Sequence, residues 1–355
     1  MLIKRYMSYC SLPFKQITMK DFDGDGCTRF LPCSHIMKTE VEDACTVRPT
    51  KGKLNLTPEQ GFQLYQDVRD SMNKGERHDL CKVCWNKEDA GKISYRQKLD
   101  KFLQDSEKYI IDINCGNVCN LACRMCGPGL SRKLKKDYNY FMSNKIDCRT
   151  PTDNFFTVEL NPNPMKSIQW LWVTQNIDKI GGLKLAGGEP LVNKSVISLF
   201  QKMVKNGVSK NINLSFYTNG LEISDHVDLL NQFKGVYVNF SVEAVGKLYH
   251  YIRYPGTFEE FDFNVKYFMQ KSTNLKDLAF NVVVSVLNVL DLDSLKKWLP
   301  TDNVGYVNVF PENRGISVKH LWKDREKILS EILMFDKSRN QNYKEYLHPK
   351  LVEWL

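Results

Sequence analysis

The sequence predicts an α/β protein, a partial (β/α)6 barrel of the TIM-like kind preceded by a small cysteine-rich domain. Three observations predict it. After residue 108 short β-type runs alternate with helical stretches, which is the pattern of a parallel sheet built from βα units. Those runs are apolar enough to expect burial on both faces, and a closed or partly closed barrel with helices outside provides that burial. Before residue 108 the text is irregular and holds six of the eleven cysteines.

Taken in order, the first element is a helix from Thr57 to about Lys74. Thr57 supplies an N-cap, Pro58 suits the first helical position, Glu59 is an early acid, and Gly75 follows the end. A second, polar helix is expected from Lys87 to Asp105. Six strands follow: Tyr109 to Asn114, Gly182 to Ala186, Asn211 to Thr218, Val236 to Glu243, Leu278 to Val286, and Val304 to Val309. Helical text at Lys194 to Asn206, Asp225 to Phe233, Phe258 to Lys271 and Leu292 to Leu299 lies between or after them. The expected divisions are 1–107 for the cysteine-rich domain, 108–312 for the barrel and 313–355 for a helical extension. In a barrel of this kind the loops leaving the carboxyl ends of the strands carry the chemistry.

Composition narrows the class. With 355 residues and 42% hydrophobic content the chain has ample material for a core. No apolar run is long enough to span a bilayer, and MLIKRYMSYCSLPFK interrupts its apolar stretches with Lys and Arg, unlike a signal peptide. The expectation is a soluble, cytoplasmic protein. Eleven cysteines, an odd number, then point to metal or redox chemistry more than to a disulfide framework. The formal charge of +9 suits a polyanion, but the cations are scattered and cluster only briefly, as at Arg132-Lys133-Leu134-Lys135-Lys136. Nucleic-acid binding is therefore not favoured.

Immediately after the first barrel strand stands Cys119-Asn120-Leu121-Ala122-Cys123-Arg124-Met125-Cys126, a CxxxCxxC loop. Three thiolates at this spacing can hold three corners of a 4Fe-4S cubane, leaving the fourth iron open to a cosubstrate. A zinc knuckle, or three buried reduced thiols, competes on composition alone. The loop resembles the signature of the radical S-adenosylmethionine (radical SAM) superfamily, with Met125 where an aromatic residue is usual. Gly187-Gly188-Glu189-Pro190, after the second strand, resembles the same superfamily's GGEP segment, which binds the amino group of S-adenosylmethionine. Further on, Tyr217-Thr218-Asn219-Gly220 is similar to its TNG ending, and Tyr251-Ile252-Arg253-Tyr254-Pro255 to its YIRY segment. Ser241-Val242-Glu243-Ala244 stands where relatives commonly read S-x-D-G, so Ser241 and Glu243 join Thr218 and Asn219 as cofactor-site candidates. The resemblance offers Arg253 as a partner for the carboxylate of S-adenosylmethionine or of substrate; an ordinary surface arginine is the rival reading.

Ahead of the barrel, Cys81-Lys82-Val83-Cys84 is a CxxC pair that alone reads as half of a zinc or iron-sulfur site. Cys10-Ser11-Leu12-Pro13-Phe14, the Asp23-Gly24-Asp25-Gly26 turn, Leu31-Pro32-Cys33 and the stretch from Cys81 to Arg96 resemble radical SAM proteins with a SPASM or twitch auxiliary-cluster domain. That resemblance makes Cys10, Cys33, Cys81 and Cys84 the candidates for an auxiliary 4Fe-4S cluster, with Cys27 and Cys45 in reserve. Cys115 and Cys148 match nothing and read as packing residues.

The resemblance implies reductive cleavage of S-adenosylmethionine to a 5'-deoxyadenosyl radical that abstracts hydrogen from a substrate. It further implies a peptide or protein substrate and an electron donor such as flavodoxin or ferredoxin. An RNA or a small metabolite is the alternative substrate, and a zinc-stabilised binding module is the non-enzymatic rival. Iron, sulfide and a broad visible absorbance separate the enzyme from the zinc module.

Overall fold

A computed structural model of the chain describes residues 9–23, 26–34, 56–97, 107–144, 166–309 and 314–355. Its strands are β1 (Gln16–Asp23), β2 (Gly26–Leu31), β3 (Tyr109–Asn114), β4 (Ile180–Ala186), β5 (Asn213–Thr218), β6 (Gly235–Ser241), β7 (Leu275–Val284) and β8 (Val304–Asn308). They form one open sheet in the order β2-β1-β3-β4-β5-β6-β7-β8, parallel throughout except for the β1/β2 hairpin. The six expected strands are all present. The other two come from the cysteine-rich segment, where β1 lies parallel to β3 with Ile17 opposite Ile111. The sheet therefore continues across residue 108.

Alternation along the strands gives the sheet two unlike faces. Ile111, Leu183, Leu214 and Val236 lie in register, as do Ile113, Leu185, Phe216 and Val238. All are at most 2% exposed and join the main core. The opposite face carries Asp112, Lys184, Ser215 and Tyr237 in one row. Burial on both faces was expected for every strand. It is nearly complete for β3 and β4 but falls away through β7, and four of five residues of β8 are exposed at the sheet edge.

The helices in chain order are α1 (Leu12–Lys15), α2 (Pro58–Gln63), α3 (Gln66–Asn73), α4 (Lys82–Asp89), α5 (Leu134–Ser143), α6 (Ile168–Gln175), α7 (Lys194–Lys205), α8 (Val227–Leu230), α9 (Gly246–Ile252), α10 (Phe258–Lys271), α11 (Leu292–Trp298), α12 (Arg325–Arg339) and α13 (Pro349–Trp354). The apolar stripes of α7 (Val196, Leu199, Phe200, Met203) and α10 (Phe261, Val265, Phe268) bury themselves in the main core. Thr57 and Gln60 form a capping box at α2, as Thr257 and Glu260 do at α10.

Two helices differ from expectation. The span from Thr57 to Lys74 is broken at Tyr65, whose backbone leaves the helical region while its hydroxyl donates to the Phe30 carbonyl. A tertiary contact with β2 has overridden the local periodicity. The helix expected from Lys87 to Asp105 instead runs from Lys82 to Asp89, where Gly91 with a φ of 69° closes it, and helical backbone returns at 95–97. Residues 98–106 lie outside the described residues.

Candidate functional site

The cysteine loop leaves the carboxyl end of β3 and is fixed by backbone pairing to two distant segments. Gly188 N donates to Gly116 O at 2.6 Å and Glu189 N to Val118 O at 2.7 Å, so the Gly-Gly-Glu segment runs against the loop. A Cβ on Gly188 would stand 2.3 Å from Val118 O, and one on Gly187 2.4 Å from Asn114 Oδ1. These glycines are required first by the loop itself. On its other side Ala122 N donates to Tyr254 O at 2.7 Å and Arg124 N to Ile252 O at 2.8 Å.

The sulfurs of this loop face N–H donors. Leu121 N points at Cys119 Sγ at 3.4 Å and Asn219 Nδ2 at 3.9 Å, while Arg253 Nη1 stands 3.8 Å from Cys123 Sγ. Cys123 and Cys126 lie within hydrogen-bond reach of each other, and burial pushes the Cys119 thiol up to about 12. A buried thiol with N–H donors aimed at it is poorly served as a thiol and well served as a metal-bound thiolate.

Beside the loop, Glu189 is 1% exposed and accepts from Asn219 N at 2.6 Å, Thr218 Oγ1 at 2.9 Å and Leu191 N at 3.2 Å. Burial pushes its carboxyl up to about 7 against those bonds and the Arg253 charge. Arg253 is 6% exposed and ion-paired with Glu243, also buried, so it is not a surface arginine. Pro190 is buried next to Glu189, and Ser241 ends β6 opposite Asn281.

The C-terminal extension carries a set of residues that sequence reasoning missed. Arg314 donates from Nη1 to Met125 O at 2.8 Å and from Nη2 to Arg124 O at 2.5 Å, and it pairs with Glu331 of α12. Arg339 reaches Ala122 O at 2.8 Å while paired with Asp137 of α5 at 2.9 Å. Arg124 itself meets Asp336 at 2.6 Å. Three carbonyls between the loop cysteines are thus held by two arginines from beyond the sheet. Removing one partner of such a buried pair strands the other charge, which typically costs about 3–5 kcal/mol. Glu331→Ala is therefore expected to lower the stability by that order in chemical denaturation, whereas an unchanged midpoint would show that the clamp contributes nothing.

The four N-terminal candidates also converge. Cys10, Cys33, Cys81 and Cys84 line one small cavity beside Tyr95 and Arg96. Burial pushes Cys10 up to about 12, with Cys33 and Cys84 reinforcing it, and raises Cys81 likewise. All four are free thiols. Cys27 lies on β2, Cys115 is buried in the core, and Cys45 and Cys148 fall outside the described residues. Among the described residues no group of three or more His, Cys, Asp or Glu side chains has closed to the spacing a single metal ion demands. A cubane holds its thiolates farther apart, at its corners.

The polar face of the sheet adjoins the N-terminal cysteine cavity at Tyr95. Lys184 Nζ meets Ser34 Oγ at 2.8 Å and Tyr95 OH at 3.0 Å, with Asp112 Oδ2 at 3.8 Å. Asn239 Oδ1 is buried there without a hydrogen-bond partner among the described residues.

Residues 113–285 match the family model of the Radical SAM superfamily. That stretch, just under half of the chain, is similar to radical SAM domains. It contains the three loop cysteines, Glu189, Asn219, Glu243 and Arg253. No curated protein matches the chain. Among solved structures, the chain is similar to native anSMEcpe with bound AdoMet at 16% identity and a TM-score of 0.38, covering 64% of this chain and 60% of that one. It is also similar to SuiB of Streptococcus suis bound to the precursor peptide SuiA, at 15% identity and a TM-score of 0.35, covering 85% of this chain and 57% of that one. The chain thus spans less than two thirds of either protein. No helix among the described residues is long and apolar enough to cross a membrane.

Proposed function

We propose that this chain is a radical SAM enzyme acting on a peptide or protein. The observation that carries the reading is the assembly of the cysteine loop and Glu189, at the carboxyl ends of the adjacent strands β3 and β4, with Arg253 from the end of α9. When bound, the cluster and S-adenosylmethionine supply one-electron cleavage of the sulfonium and a 5'-deoxyadenosyl radical that removes a hydrogen atom from substrate.

The chain's own residues divide the remaining work. Cys119, Cys123 and Cys126 hold the cluster. Glu189, oriented by Thr218 and Asn219, receives the ammonium group of S-adenosylmethionine. Arg253 is engaged by Glu243 and turns Nη1 toward Cys123, so it is assigned to steadying the cluster sulfur rather than to a ligand carboxylate. Cys10, Cys33, Cys81 and Cys84 hold an auxiliary cluster beside the polar face. A peptide suits that face because Asn239 Oδ1 offers an acceptor for a substrate N–H, and Lys184 can donate to a carbonyl. Anaerobic assay of the reconstituted protein for 5'-deoxyadenosine tests the reading.

The raised carboxyl of Glu189 gives the site a pH dependence. A folded-state value of about 7, above the ordinary 4.5, means its contribution to stability is complete below 4.5 and lost as pH rises through about 7. Ligand binding runs the other way, since an ammonium group requires the ionised carboxylate. The dissociation constant for S-adenosylmethionine, measured by equilibrium dialysis, is expected to rise toward tenfold per pH unit below about 7. In Glu189→Gln it should be weaker and flat with pH; a flat wild-type profile would refute this role for Glu189.

A further inference from the structure

Two stretches of chain far apart in sequence build a basic cleft behind the cysteine loop. Arg132, Lys133 and Lys136 come from the loop's exit and α5, and Lys337 and Arg339 from the end of α12. The cleft has a volume of about 630 Å³, and Ala122, Tyr254 and Pro255 also line it. Ala122 lies one residue before Cys123, and Tyr254 O accepts the Ala122 N–H. The one acid lining the cleft, Asp137, is neutralised by Arg339 at 2.9 Å. Arg132, Lys133, Lys136 and Lys337 are exposed and meet no carboxylate among the described residues.

We propose that this cleft is the docking surface for an acidic, low-potential one-electron carrier protein. The proposal rests on the radical SAM reading, which requires an electron from outside the chain. A net positive rim steers an acidic partner and fixes its orientation. The side of the loop that faces Glu189, Thr218 and Asn219 is reserved for S-adenosylmethionine, whereas the Ala122 side brings a partner to the backbone of a cluster ligand without crossing it. In the transfer the carrier is oxidised by one electron and the cluster reduced by one, with no bond made or broken. A solvated basic face would explain scattered cations, but these converge from residues 132–136 and 337–339 on one concavity floored by the cluster loop.

The test compares wild type with Lys133→Glu/Lys136→Glu/Lys337→Glu, three exposed residues outside the cysteine sites, with equal iron content as the check on folding. Binding of oxidised flavodoxin is measured by titration calorimetry at ~50 and ~200 mM salt, across which surface charge interactions are progressively screened. Wild type is expected to bind, and to bind more weakly at the higher salt. The triple variant is expected to lose about tenfold or more in affinity, and its rate of 5'-deoxyadenosine formation driven by reduced flavodoxin should fall accordingly. Its dithionite-driven rate should stay within about twofold of wild type, because dithionite needs no docking surface. Undiminished flavodoxin binding in the variant, or no binding by wild type, would overturn the proposal. Failure of wild type to form 5'-deoxyadenosine with dithionite would instead remove the radical SAM reading.

Discussion

A Cys123→Ala protein is expected to form no measurable 5'-deoxyadenosine, and Cys119→Ala and Cys126→Ala to behave alike. Cys123 is 4% exposed and its sulfur faces Arg253 Nη1 at 3.8 Å, so an alanine there leaves a buried cation without its sulfur partner and a cluster short of one ligand. Partners of metal ligands are themselves worth about 10–100-fold, and a ligand is worth more. No neighbouring thiol replaces it: Cys115, the nearest in sequence outside the loop, is packed in the main core. Liquid chromatography of the quenched reaction measures the nucleoside. Cys115→Ala should retain activity, and a Cys123→Ala protein as active as wild type would end the assignment of this loop.

The second large effect concerns the other cysteine set. Replacing both Cys81 and Cys84 by Ala removes two of the four sulfurs that line the N-terminal cavity. Iron should drop to about half of the wild-type content, since one cubane of two is lost. Cleavage of S-adenosylmethionine should persist without coupling to substrate, because Glu189 and the Cys119 loop are untouched, while substrate turnover collapses. Circular dichroism guards against unfolding, a real concern where a metal site staples a core-poor segment. Iron equal to wild type, or stoichiometric zinc, would show that the cavity holds no auxiliary cluster; turnover of substrate at the wild-type rate would show that it is dispensable.

What could be read in the sequence was local. Cys119, Cys123, Cys126 and Gly187-Gly188-Glu189 announce themselves by spacing, and the structure brings the two motifs into backbone contact. Neither glycine has room for a side chain, because Asn114 Oδ1 approaches Gly187 and Val118 O approaches Gly188. Cys10, Cys33, Cys81 and Cys84 also converge, although no pattern in their spacing alone requires it. Asp23-Gly24-Asp25-Gly26 between two β-type runs is the signal in the sequence for the β1/β2 hairpin. Non-local pairings left no trace. Arg314 and Glu331 look like any two surface charges in the text, yet they are buried and hold the loop carbonyls. Lys184 and Asp112 face each other only because β3 and β4 are neighbours in register, a fact of sheet order rather than of sequence.

The most direct measurement is the yield of 5'-deoxyadenosine from anaerobically reconstituted wild-type protein given dithionite and S-adenosylmethionine. The assembly of Cys119, Cys123, Cys126 and Glu189 predicts that the nucleoside accumulates with time beyond one equivalent of protein, together with methionine. An iron-loaded protein that binds S-adenosylmethionine yet releases neither product, or a protein that takes up only zinc, would contradict it.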